Sequence, residues 1–97
     1  MREGDRTIDE VLDAVAAHFQ TSREELVSGR THRVARRVAM YLALKVTRLS
    51  IAQIANRVGG ISWKNVVVGA RTIEQRMGED TKFAEEVEGI KATLLRE

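Results

Sequence analysis

Cysteine and proline are both missing from this 97-residue chain. Without cysteine there is no disulfide framework and no thiolate zinc site. Without proline nothing interrupts a helix by removing a backbone donor, which suits a mostly helical chain. Long hydrophobic runs are missing too: the longest covers residues 38–44, far short of the roughly 20 apolar residues that span a bilayer. The first five residues, Met1-Arg2-Glu3-Gly4-Asp5, are charged and so unlike a secretory leader. These absences point to one cytoplasmic domain with a single modest core.

Acidic charge is almost absent from the middle of the chain. Residues 30–77 carry Arg30, Arg33, Arg36, Arg37, Lys45, Arg48, Arg57, Lys64, Arg71 and Arg76 against Glu74 alone, a balance of +9. The flanks are the reverse, −4 over residues 1–29 and −3 over 78–97, so the formal net charge of +2 conceals the asymmetry. A block this one-sided reads as an electrostatic footprint for phosphates. About five phosphate contacts would give log K a slope of roughly −4 to −5 against log salt.

The basic block contains a stretch with helix-turn-helix character. Ser50 and Gln53 form a capping box. Ile51, Ile54, Ala55 and Val58 follow at helical spacing. Gly59-Gly60 supplies residues that accept the left-handed backbone needed to end a helix, and Ser62 is an N-cap type. In the helix that follows, Val66, Ala70, Ile73 and Met77 form the buried stripe. Lys64, Asn65, Val68, Arg71, Thr72 and Gln75 face outward. Two helices joined by a glycine turn, the second with a polar and basic face, fit a DNA reader over about residues 50–77. An ordinary corner between two helices is the bland alternative.

The remaining segments are helical as well. Residues 1–6 read as a disordered N-terminal segment and 7–97 as a single helical DNA-binding domain. Thr7 and Glu10 form a capping box before the stripe Ile8, Val11, Leu12, Val15, Ala16 and Phe19. Ser22 caps a short helix carrying Leu26 and Val27, ended by Gly29. The longest helix is expected over about 34–47, with Val34, Ala35, Val38, Ala39, Tyr41, Leu42 and Val46 as its apolar face and Arg36, Arg37, Lys45 and Arg48 on its wetter side. Gly78 breaks the pattern, and Asp80 caps a last helix with Phe83, Val87, Ile90 and Leu94 inward. The expected fold is an all-α bundle of about six helices. Its core draws on Val11, Leu12, Val15, Phe19, Leu26, Val38, Leu42, Ile51, Ile54, Val58, Val66, Ile73, Val87 and Ile90.

No catalytic constellation is present. His18 and His32 lie in different elements without partners at metal-ligand spacing. Gly59-Gly60 lacks the Gly-Lys-Ser/Thr of a phosphate-binding loop, and no nucleophile stands beside a base. The chain is therefore expected not to be an enzyme, and no metal or cofactor is expected.

The run Val38-Ala39-Met40-Tyr41-Leu42-Ala43, then Leu49-Ser50-Ile51 with Ile54-Ala55, then Val58-Gly59-Gly60 and Ile73-Glu74, resembles the C-terminal DNA-binding domain of the bacterial replication initiator DnaA. The resemblance covers about residues 8–95. It implies a Trp-repressor-like, all-helical bundle that binds double-stranded DNA at AT-rich boxes of the replication origin. It further implies a helix-turn-helix in the major groove and a basic loop in the adjacent minor groove. By matching position, Ser62, Trp63, Lys64 and Asn65 stand at the base-reading start of the recognition helix. Arg36 matches the arginine before the apolar helix, and Arg30 or Arg33 the arginine of the basic loop. With Arg37, Ser50, Val68, Arg71 and Thr72 these form the candidate DNA-binding set.

One segment departs from the family pattern. After Gly-Gly the family usually has Arg-Asp-His-x-Thr-Val; here the sequence is Ile61-Ser62-Trp63-Lys64-Asn65-Val66, and only the valine is kept. Similar domains occur attached to some transposase-like proteins, so an initiator, such a fragment and a free-standing relative all remain open. An initiator's ATPase would lie outside these residues, and further domains of a parent protein are expected partners. Trp63 and Val66-Val67-Val68 support an alternative, a helical protein-interaction module that kept the fold and lost the DNA contacts. Binding to an anionic membrane surface is the least favoured reading, because the wide apolar face around Arg36 and Arg37 suits a core.

Overall fold

The computed structural model describes residues 6–28 and 32–96, and these described residues form six helices: α1 (Ile8–His18), α2 (Arg23–Ser28), α3 (Arg33–Val46), α4 (Ile51–Arg57), α5 (Trp63–Glu79) and α6 (Thr81–Leu95). Among the described residues there is no strand, and no helix is long and apolar enough to cross a membrane. Gly29, Arg30 and Thr31, where the helix stop and part of the basic loop were expected, lie outside the described residues.

Local chemistry sets most boundaries. The Thr7 hydroxyl accepts from Glu10 N while the Glu10 carboxylate accepts from Thr7 N, and Ser50 and Gln53 repeat the arrangement at α4. Each box satisfies two helix-start donors that would otherwise be orphaned. Ser22 Oγ accepts from Glu25 N ahead of α2. At the far end of α3, the buried Thr47 hydroxyl donates to Ala43 O and accepts from Leu49 N. That satisfies its polar atom while the chain turns toward α4.

α3 runs through the middle. Val38, Ala39, Leu42, Ala43 and Val46 are all fully buried, and α1, α2, α4, α5 and α6 all pack on it. Alanines at 35, 39 and 43 let neighbours approach closely, and Gly69 of α5 does the same from the other side. A Cβ at Gly69 would lie 2.8 Å from Met40 Sδ and 3.3 Å from Arg37 Cγ. This crossing fixes α5 beside the arginine-bearing side of α3. Truncating a fully buried side chain of this core, such as Leu42 or Ile54, to alanine would cost about 2–5 kcal/mol.

Four details differ from the sequence expectations. Val34 is 38% exposed. Residues four apart drift by about 40° per step around a helix of 3.6 residues per turn, so Val34, Val38, Leu42 and Val46 cannot all stay on one face, and the outermost leaves it. Ile51 is 36% exposed, because it sits at the first residue of α4, where Ile54, Ala55 and Val58 take the inward side. Phe19 packs against the core but is only half-buried. Gly78 does not end its helix: α5 continues to Glu79, and Asp80, which closes α5, also caps α6 by accepting from Phe83 N. A glycine costs a packed helix only about 1 kcal/mol relative to alanine. At the N-terminus, Arg6 N donates to Val46 O and its guanidinium pairs with Glu10 at 2.8 Å, which ties this residue to α1 and to the end of α3.

Candidate nucleic-acid interface

The α4–turn–α5 unit presents the first turn of α5 to solvent. The turn works because Gly59 and Gly60 hold φ of +105° and +67°. Gly59 also has no room for a side chain, since a Cβ there would lie 2.5 Å from the Val27 carbonyl oxygen. Ile61 N donates to Ala55 O, which folds the turn back on α4. The Ser62 hydroxyl then accepts from Lys64 N at 3.3 Å, starting α5 with its own N-cap.

From that start, Lys64, Val68, Arg71 and Gln75 follow one another at spacings of three and four, and all are exposed. They form a single outward line on the helix. Trp63 is 53% exposed and Val68 58% exposed. Two shallow depressions flank this line. One lies between α4 and the start of α5, where Trp63 faces Ala52, Gln53 and Asn56. The other is a cleft of about 260 Å³ where Arg33, Arg36 and Arg37 of α3 meet Asn65, Val68 and Gly69 of α5.

The arrangement therefore brings Arg33, Arg37, Asn65 and Val68 together, with Lys64 and Arg71 on the adjoining ridge. Among the described residues, Arg33, Arg37, Lys64 and Arg71 form no ion pair with a carboxylate. Lys64 does lie over the Trp63 ring, 5.9 Å from its centroid. Arg36 is placed differently. It is half-buried, its Nη2 donates to the Val58 carbonyl at 2.8 Å, and burial holds its pKa below the usual arginine value. Three hydroxyls in the candidate set also have local partners. Ser50 Oγ accepts from Gln53 N and Ser62 Oγ from Lys64 N, which leaves each free to donate its proton. Thr72 donates to Val68 O at 2.8 Å and keeps only acceptor capacity. Arg30 lies outside the described residues.

Other cations of the basic block are occupied. Arg57 pairs with Asp9 at 2.9 Å, and the same carboxylate receives Arg23. Arg76 lies over the Phe83 ring at 4.0 Å, and Lys45 over Tyr41 at 5.6 Å. Gln53 and Asn56 are exposed amides beside Trp63; the sequence reading gave Gln53 only its capping role and Asn56 none. Their spacing of three on the side of α4 opposite Ile54 and Val58 is the signal that would have found them. His18 stands 3.7 Å from Glu86, and among the described residues no group of three His, Cys, Asp or Glu side chains could hold a metal ion.

Known proteins share this chain's pattern. The family described as "Bacterial dnaA protein helix-turn-helix" matches residues 8–73. Chromosomal replication initiator proteins DnaA are 40% identical in Brucella abortus and 41% in Agrobacterium fabrum, each over 90 residues that cover 90% of this chain and 18% of the relative. The protein of the same name from Sphingopyxis alaskensis is 36% identical over 91 residues, 91% of this chain and 20% of its own length. The chain thus spans about a fifth of these relatives. The match runs from the first turn of α1 to the middle of α5, through the cleft-forming α3 and the whole glycine turn, and the chain belongs to the bacterial dnaA-protein helix-turn-helix family.

Proposed function

We propose that this domain binds double-stranded DNA sequence-specifically, at a replication origin or a related site, with the start of α5 in the major groove and the basic segment 30–33 against the neighbouring minor groove. The observation that carries the reading is the cleft between α3 and α5. There, Arg33 and Arg37 stand beside Asn65 and Val68 with no carboxylate partner among the described residues. Cations left unpaired beside an exposed helix start are suited to phosphates, which position a protein on a duplex, while amide and apolar side chains read base edges. Arg33, Arg37, Lys64 and Arg71 are assigned to phosphates. Asn65 is assigned to an adenine edge, and Trp63 and Val68 to thymine methyl groups. Ser50, Ser62 and Thr72 lie at the margins of this surface. The domain acts as a binding module in the bacterial cytoplasm, without chemistry of its own, attached to further domains of a longer parent protein.

The preferred site is proposed to differ from the usual initiator box. An Asp-His pair presents an acceptor and a ring nitrogen to bases, whereas Ser62 is engaged in capping and the Trp63 indole offers only a donor. Two or three such changes, each worth about 1–3 kcal/mol, are enough to redirect a preference. Titration against random duplex at several salt concentrations tests the binding: four phosphate contacts give an expected slope of roughly −3 to −4, and no binding at low salt would overturn it. Selection from random duplexes tests the preference, and recovery of the ordinary box would overturn the redirected site. The exposure of Trp63 and Val68 favours a second reading, a protein-interaction face, which the absence of duplex binding would bring forward.

A further inference from the structure

Arg36 stands beside Arg33 and Arg37 on α3 but does different work. Its guanidinium turns under the glycine turn and donates to the carbonyl of Val58, the residue that closes α4, at 2.8 Å. Positive charge at a helix C-terminus meets the carbonyls that have no intrahelical partner. Its Nε is buried without a partner among the described residues. The turn is held from both sides: a Cβ at Gly59 would lie 2.9 Å from Arg36 Nη2 and 2.5 Å from the Val27 carbonyl. Gly59 is four residues before Trp63, and the Ile61-to-Ala55 backbone hydrogen bond stiffens the stretch between them. A shift at Val58–Gly59 is therefore carried into the first turn of α5.

We infer that Arg36 is a positioning residue, which sets the pose of the base-reading helix by gripping the turn behind it and does not itself contact a phosphate. The assignment rests on the DNA-binding reading above. Phosphate attraction acts over several ångströms and tolerates a small displacement of α5, whereas a bidentate contact to a base edge does not. Losing Arg36 thus removes discrimination and leaves non-specific attraction in place.

The test uses the 97-residue chain, a selected duplex and a random duplex, each titrated across salt. In Arg36→Met the ratio of selected to random affinity falls by about tenfold, within the range one base contact carries, while the salt slope is unchanged. In Arg33→Ala the slope falls by about one unit and the ratio is kept. Amide exchange at Gly59, Gly60 and Ile61 speeds up in Arg36→Met, and a variant that only lost global stability would instead speed exchange throughout. A second readout needs no variant: in the unaltered chain the Arg36 guanidinium resonance stays in place on adding duplex, while those of Arg33 and Arg37 move. An equal loss on both duplexes with a slope smaller by about one would make Arg36 a phosphate contact and overturn the inference, as would an Arg36 signal that moves with its neighbours or an unchanged ratio. Failure of the unaltered chain to bind any duplex at low salt would sink the DNA reading before a variant is made.

Discussion

The two sides of this bundle use the same charged residue types in opposite ways. Around α1 and α2 the cations are matched: Arg6 pairs with Glu10, and Arg23 and Arg57 share Asp9. On the α3–α5 side, Arg33, Arg37 and Arg71 meet no carboxylate among the described residues. Exposed ion pairs contribute little to stability, about 0–1 kcal/mol each, so the matched side is not a source of much folding energy. The difference lies in availability. A cation already facing a carboxylate has less to offer a phosphate, and one without a partner keeps its full charge for an anion brought to it. Arg57 illustrates this, since it belongs to the helix-turn-helix by sequence yet faces Asp9 on α1.

Several experiments would break or sharpen that contrast. The largest effect is expected at the joint between the two sides. Gly59→Ala forces a Cβ into the space held by the Val27 carbonyl and holds an L-residue at a positive φ of +105°, costing about 3 kcal/mol in denaturant unfolding. Gly60→Ala, with open space around it, costs only about 1 kcal/mol. Next, the double change Arg33→Ala with Arg37→Ala should reduce the salt slope of duplex binding by about two units; an unchanged slope would remove the cleft from the interface. Asn65→Ala should flatten the preference at one or two base positions, a loss of about 1–3 kcal/mol there, read by repeating the site selection. Arg57→Ala should leave the slope where it is, and a fall of about one unit would erase the distinction between matched and available cations.

The smallest effect concerns pH. The Arg6 guanidinium and the Thr7 backbone N–H lower the pKa of the exposed Glu10 carboxyl. A carboxylate whose folded pKa is depressed binds fewer protons folded than unfolded near that pKa. Its contribution is therefore complete above the ordinary glutamate range and is lost as pH falls through the lower folded value. Glu10→Gln should flatten the acid limb of a stability–pH curve slightly and leave the neutral region nearly level.

What the sequence determined by itself was local. The capping boxes at Thr7 and Ser50, the Asp80 cap, the glycine turn and the inward stripes of Val11, Val15, Ile54, Val66 and Ile73 follow from spacings of three and four residues, which helix geometry turns into faces. The same rules overreached at Val34 and Ile51, because periodicity says which way a residue points but not where a neighbouring helix ends. The tertiary structure decided which members of the basic block are available. Arg36 finds Val58 twenty-two residues away, and Arg57 finds Asp9 forty-eight residues away, across separations that no local pattern encodes. Only the packing of α1, α2 and α4 around α3, with the Gly69 crossing that seats α5 beside Arg37, separates the cations matched within the fold from those without a carboxylate partner among the described residues.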